Sequence, residues 1–197
     1  MKKILVAYAT NAGTTTDVAR AVGEEVQKKD VQVDVLLLEK VTDLESYDAV
    51  VLGAPMIMGW HRGAVAFLKK NRTLLAKIPV ALFITCMSLT RTGESSVDGV
   101  PVFVDEKLAA APRTEGRLTF KERYARVTQY LRPVLKAAAP VKPVGVAFFG
   151  GRLDLFRLKW WQALFVMLVI QARPGERRDW EAIRRWAGGL FISENEK

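Results

Sequence analysis

The chain has 197 residues, half of them hydrophobic and 26% charged, which excludes a disordered solvating chain and fits one folded domain of ordinary size. Thirty Lys and Arg against 21 Asp and Glu leave a formal charge of +9, so the surface favours polyanions, anionic lipid or acidic small molecules. Cys86 is the only cysteine and His61 the only histidine, which excludes an internal disulfide framework and any multi-thiolate or multi-histidine metal site within one chain, and suits a reducing cytoplasm.

Ile4 to Ala9 is a short apolar run that breaks at Thr10-Asn11-Ala12-Gly13; it is too short for the core of a signal peptide and reads as a first strand. Thr14 to Lys29 follows as a helix, with Thr14 and Asp17 at capping-box spacing and Val18, Ala21, Val22 and Val26 on one stripe. Val31 to Leu38 and Ala49 to Leu52 are the next two strands. Gly63 to Asn71 is a second helix with Ala64, Phe67 and Leu68 inward, and Val80 to Ile84 is a fourth strand. Ser88 to Leu118, with Gly93, Gly99, Pro101, Pro112 and Gly116, predicts a long loop excursion of the kind that carries function. Thr119-Phe120-Lys121-Glu122 is a capping box opening a helix through Tyr124, Val127, Tyr130, Leu131 and Val134, which Pro133 should kink or shorten. Val144 to Phe149 is the fifth strand, Arg152 to Ala172 inserts an extra apolar helix, and Asp179 to Phe191 is the closing helix, with Trp180, Ile183, Trp186 and Ala187 at helical spacing. Several strands are almost continuously apolar, as happens when helices cover both faces of a parallel sheet. The alternation predicts a doubly wound α/β fold with a five-stranded parallel sheet in the order 2-1-3-4-5. It forms one domain over residues 1–197, with 88–118 as an excursion and 152–172 as an inserted helix.

In such a sheet a ligand sits beyond the carboxyl ends of the strands at the switch point, here between the first and third strands. Thr10, Asn11, Ala12, Gly13, Thr14 and Thr15 occupy that turn. Helix N-terminal N–H groups, hydroxyls and a glycine suit a phosphate, although the loop lacks both the Walker lysine and the GxGxxG pattern. A plain helix cap with spare threonines is the alternative on the local residues alone. The third strand runs into Met56, Ile57, Met58, Gly59, Trp60 and His61, and the fourth into Thr85, Cys86, Met87 and Ser88, two loops able to sandwich a flat ring. Trp60 reads either as a stacking ring or as a cap on its own loop. His61 reads as a proton donor or carboxylate ligand, or as incidental; Cys86 reads as packing and the methionines as apolar walls.

Thr10-Asn11-Ala12-Gly13-Thr14-Thr15 resembles the T-x-T-G-x-T type phosphate loop of the flavodoxin family, and Leu44 to Pro55 resembles that family's approach to the third strand. The resemblance implies FMN, its phosphate in the first loop and its isoalloxazine between residues 56–60 and 85–88; Ala12 departs from the pattern by removing a hydroxyl. Gly53 to Arg62, Phe67 to Asn71, Pro79 to Phe83 and Gly151-Arg152-Leu153-Asp154 are similar to the flavodoxin-domain proteins related to menaquinone-dependent protoporphyrinogen dehydrogenase. That similarity implies an FMN-dependent oxidoreductase passing reducing equivalents from an organic substrate such as protoporphyrinogen IX to a quinone. The rivals are an electron-transfer flavodoxin with no substrate of its own and a flavin-free interaction protein.

Electron-carrier flavodoxins are typically acidic, whereas this chain is basic, and complementary charge sets docking partners. A tetrapyrrole or other anionic substrate, or an anionic membrane surface on the cytoplasmic side carrying a quinone, suits it; no nucleic-acid-binding motif is present. Leu155 to Ile170 is too short to span a bilayer but, flanked by Arg and Lys across residues 152–178, reads as a peripheral membrane helix, a buried helix or a dimer contact, so a homo-oligomer stays open. Residues 152–185 hold eight Arg or Lys and four acids. No catalytic residue and no metal site is assigned.

Overall fold

The computed structural model describes residues 1–114, 116–153 and 175–191. The expected membrane-surface helix over 155–170 lies outside the described residues, among which no helix is long and apolar enough to cross a membrane.

Parallel strands β1 (Lys3–Tyr8), β2 (Gln32–Leu37), β3 (Ala49–Pro55) and β4 (Val80–Cys86) alternate with α1 (Thr14–Gln27) and α2 (Arg62–Leu75). The inserted segment holds β5 (Leu89–Thr90), β6 (Ser96–Val97), β7 (Val100–Val104) and β8 (Ala109–Ala110). It leads through α3 (Phe120–Tyr124) and α4 (Val127–Ala138) to β9 (Gly145–Gly150). A short pair, β10 (Arg152–Leu153) with β11 (Gly175–Glu176), precedes α5 (Trp180–Gly189).

The main sheet runs β2-β1-β3-β4-β9-β7-β6. Its first five members reproduce the expected 2-1-3-4-5 order, but the sheet has seven strands and not five. Part of the expected 88–118 loop folds onto its edge, where β7 pairs in parallel with β9 and β6 turns back antiparallel on β7. The turn is Asp98-Gly99, both at positive φ (49° and 81°), the geometry of a two-residue hairpin whose twist matches its strands. Pro101 weighed against a strand, yet it stands near the start of β7, where a missing N–H is tolerated.

Neighbouring strand residues point to opposite faces, and each face has its own core. Leu5, Leu52, Leu82, Ile84, Val146 and Phe148 pack with Leu68 of α2 and Leu131 and Val134 of α4. Val6, Val51, Phe83 and Phe149 pack with Val18 and Val22 of α1 and Ile183 and Trp186 of α5. Burial on both sides explains the uninterrupted apolar strands. Gly53 pairs with Phe83 in register, and a Cβ there would stand 1.8 Å from the Phe83 ring, so the bare backbone is what lets that ring lie flat.

Two helix starts differ from expectation. The N-cap of α1 is Gly13 (φ 84°) with no side-chain cap, and Thr14 is the first helical residue, its hydroxyl donating to the Arg152 carbonyl at 3.0 Å. The Thr119–Glu122 capping box does form, but the helix it opens ends at Tyr124 and a new one begins at Val127, because the Ala125 carbonyl is taken by the Thr90 N–H at 2.7 Å and Arg126 is extended. Pro133, expected to cause the break, sits inside α4.

Candidate functional site

The first turn of α1 carries N–H groups without intrahelical partners, and no side chain caps them. With the helix dipole they make an anion-binding end. Thr10 shapes the approach, its hydroxyl accepting from the Gly13 N–H at 2.9 Å, so that N–H is spent on the turn. Thr15 is buried and its hydroxyl lies 3.0 Å from that of Thr85, a pair that ties the helix start to the end of β4.

Around this end lies a cleft open to solvent, at the sheet end where ligands of such folds sit. Thr10, Asn11, Ala12, Thr14 and Thr15 line one part, Met56 and Ile57 a second, Thr85, Cys86 and Met87 a third. Pro55, Gly151 and Arg152 also line it, and sequence reasoning missed them. The signal was available: Gly150-Gly151 follows the fifth strand at the same sheet end as the two loops already read as ring walls. A second hollow, between Leu89–Glu94 and Val104–Ala109, contains none of the expected cofactor-binding residues.

Five expected residues stand outside the lining. Gly13 is the helix cap, Ser88 is half-buried beyond Met87, and Met58 (75% exposed, φ 52°) and Gly59 (φ 117°) form the tip of the loop. Trp60 takes the other role weighed for it: it is buried against the α2-side core, its indole N–H donating to the Ala54 carbonyl at 3.2 Å. His61 caps α2, Nδ1 accepting from the Gly63 N–H at 3.1 Å.

The wall formed by Gly151 and Arg152 is held from behind. The Gly151 N–H donates to the Cys86 carbonyl (3.0 Å), the Arg177 N–H to the Gly151 carbonyl (3.1 Å), and the Arg177 guanidinium to the Met87 carbonyl (2.8 Å). Arg178, with its side chain only 5% exposed, joins Asp17 of α1 at 2.7 Å to Glu176 at 2.5 Å and lies over the Trp180 ring. Hydrogen bonds from Arg178 hold the Glu176 carboxyl below its usual range. The pairing also offsets the Asp17 charge in the first turn of α1, leaving the helix end more attractive to an anion.

Burial pushes the Cys86 thiol up to about 12, the nearby Asp105 carboxylate adds to the shift, and a hydrogen bond from the Ser88 backbone opposes it. The thiol is therefore neutral at neutral pH. Native protein should resist iodoacetamide at pH 8 and become labelled only on unfolding; rapid native labelling, read by mass spectrometry, would contradict this burial. Because the folded value lies above the reference 9.0, the stability Cys86 contributes by staying neutral is complete below that pH and is lost as pH rises toward 12.

Solved structures similar to the chain include flavodoxins. One, from the domain Archaea, has 24% identity, covering 43% of this chain and 62% of that one, with a TM-score of 0.39. A two-electron reduced flavodoxin of Megasphaera elsdenii has 14% identity over 74% of this chain and 84% of that one, TM-score 0.47. A short-chain flavodoxin associated with a bacterial microcompartment has 13% identity over 96% and 97%, TM-score 0.48. The chain thus spans about three fifths of the archaeal flavodoxin's length. No curated protein matches it. Membership rests on the family model for the flavodoxin domain, which matches residues 5–179 and so takes in most of β1, every other strand of the main sheet and the whole cleft lining: the chain belongs to the flavodoxin family.

Proposed function

We propose that the chain is an FMN-binding redox protein whose cofactor occupies the cleft at the carboxyl ends of β1, β3, β4 and β9. The observation that carries this reading is the uncapped α1 N-terminus opening into a cleft with apolar walls, the complement of a phosphate joined to a flat ring. Thr10, Asn11, Thr14, Thr15 and the backbone at Ala12 hold the phosphate, with Gly13 setting the turn. Met56, Ile57, Cys86 and Met87 flank the isoalloxazine, while Gly151 and Arg152 close the third side. When bound, FMN supplies the electron-transfer chemistry, and the protein supplies orientation, water exclusion and electrostatics.

The finer reading is an FMN-dependent oxidoreductase taking reducing equivalents from an organic substrate of the protoporphyrinogen class and delivering them to a quinone at a membrane surface. Its support is the sequence resemblance through Gly53–Arg62 and Gly151–Asp154, together with the +9 charge, which suits a substrate bearing propionates. The whole described span works as one flavodoxin-like unit.

An absorbance spectrum of the purified protein incubated with FMN tests the cofactor, and a protein that stays colourless would overturn the proposal. Anaerobic addition of protoporphyrinogen should then bleach the flavin band, and a menaquinone analogue should restore it. A loaded protein that accepts electrons from dithionite but not from protoporphyrinogen would instead be a carrier.

A further inference from the structure

We propose that α3 is a docking platform for a small electron-carrier protein with an acidic face, a reading that rests on the cofactor assignment because the platform stands beside the cleft. None of the five residues of α3 is buried, yet the helix is firmly held. Thr119 and Glu122 cap each other, Glu122 also accepts from the Arg113 N–H at 2.8 Å, and the Ala125 carbonyl is pinned by Thr90. The Tyr124 ring meets Tyr130 edge-on at 5.7 Å, and Tyr130 stacks on Phe148 of the core at 6.5 Å. This rigid support presents Phe120 at 79% exposure and Tyr124 at 47%. Leaving a Phe side chain in water forgoes the free energy of burying it. Such a side chain on a fixed mount is one that something else covers.

The position and the charge say what covers it. Thr90, whose N–H pins α3, lies three residues beyond Met87 of the cleft lining, so α3 stands at the carboxyl end of β4, the end of the sheet at which the cleft opens. Arg123 lines a shallow hollow with Phe120 and Tyr124, and Arg113 and Arg117 of the segment leading into α3 are exposed as well, a positive charge that an acidic surface complements. Aromatic residues with arginine are what protein interfaces enrich, and such pairs supply their hot spots. A five-residue helix offers a small footprint, in keeping with electron-transfer encounters, which bury less than about 1,200 Å².

The test uses the full chain and an acidic plant-type ferredoxin as probe, with basic cytochrome c and phosphatidylglycerol vesicles as comparisons. Wild type should bind the ferredoxin saturably at low salt, and affinity should fall about tenfold as ionic strength rises from roughly 0.02 to 0.5 M. F120S should weaken binding about tenfold and R117E/R123E more, since aromatic and Arg anchors dominate interfaces. Circular dichroism and FMN titration of both variants should match wild type. Variants that bind like wild type, equal binding of cytochrome c, or vesicle binding that F120S abolishes without any ferredoxin binding would each overturn the proposal. A protein that takes up no FMN but binds ferredoxin in this pattern would overturn the cofactor assignment and leave the docking surface standing.

Discussion

Replacing Gly150 with alanine is expected to cost the protein much of its stability and its grip on the cofactor together. A Cβ at this position would stand 1.9 Å from the carbonyl oxygen of Arg177 and 2.6 Å from its carbonyl carbon. Both are backbone atoms, so no rotamer change relieves the clash. The strand end must shift, and with it the Gly151–Arg177 hydrogen bond and the Arg177 bond to the Met87 carbonyl that hold the cleft wall. Overpacking a filled site costs about 1–3 kcal/mol, and disturbed buried hydrogen bonds add about 1 kcal/mol each. A loss near 3 kcal/mol would lower Tm by about 6–12 °C for a chain of this size. The matched control is Gly145→Ala in the same strand, where the added Cβ would meet only the Pro101 carbonyl at 3.9 Å, an ordinary contact. Urea unfolding and FMN fluorescence quenching measure both effects. If Gly150→Ala and Gly145→Ala behave alike, the segment over 175–178 does not pack against β9 as described.

The same wall marks the limit of what the sequence discloses. The strands β1, β3, β4 and β9 were legible because burial on both faces leaves an unbroken apolar run, a local signal, and β2, half-buried at the end of the sheet, because Val33, Val35 and Leu37 recur at every second residue. The turn Thr10–Thr15 was legible because it lies at a strand-to-helix junction whose place in the sheet follows from strand order. Arg177 and Arg178 were not, since their contacts with Met87 and Asp17 span 90 and 161 residues and nothing in the local pattern records them. Trp60 shows a different failure: an aromatic in a predicted ligand loop looks available to a ring, but its indole N–H needed a buried acceptor and found the Ala54 carbonyl six residues back. Strand β7 went unread for a third reason. Its Asp98-Gly99 turn is a strong hairpin signal, and the neighbouring glycines and prolines of the segment masked it.

Asn11→Asp separates the phosphate from the rest of the ligand. Asn11 lines the cleft at an exposed position in the turn before α1, and the change is nearly isosteric, so only charge differs. A carboxylate near a helix N-terminus favours the helix by about 0.3–1 kcal/mol, and the apo protein should be unchanged or slightly more stable. The effect on FMN has the opposite sign. Two like charges 4 Å apart repel by about 4 kcal/mol at an effective dielectric of 20, and solvent exposure reduces this to roughly 1.4–2.8 kcal/mol, a tenfold to hundredfold loss of FMN affinity. Riboflavin has the same ring and no phosphate, so its affinity should scarcely move. The penalty on FMN should shrink as salt is raised, because an exposed repulsion is screened. Asn11→Ser, which keeps a neutral polar side chain, should bind both flavins nearly as wild type does. An equal loss for FMN and riboflavin would place Asn11 against the ring and remove the α1 N-terminus as the phosphate site. A selective loss for FMN fixes the orientation of the whole cofactor, since a phosphate at Thr10–Thr15 leaves the apolar walls at Met56–Ile57 and Cys86–Met87 as the place for the ring.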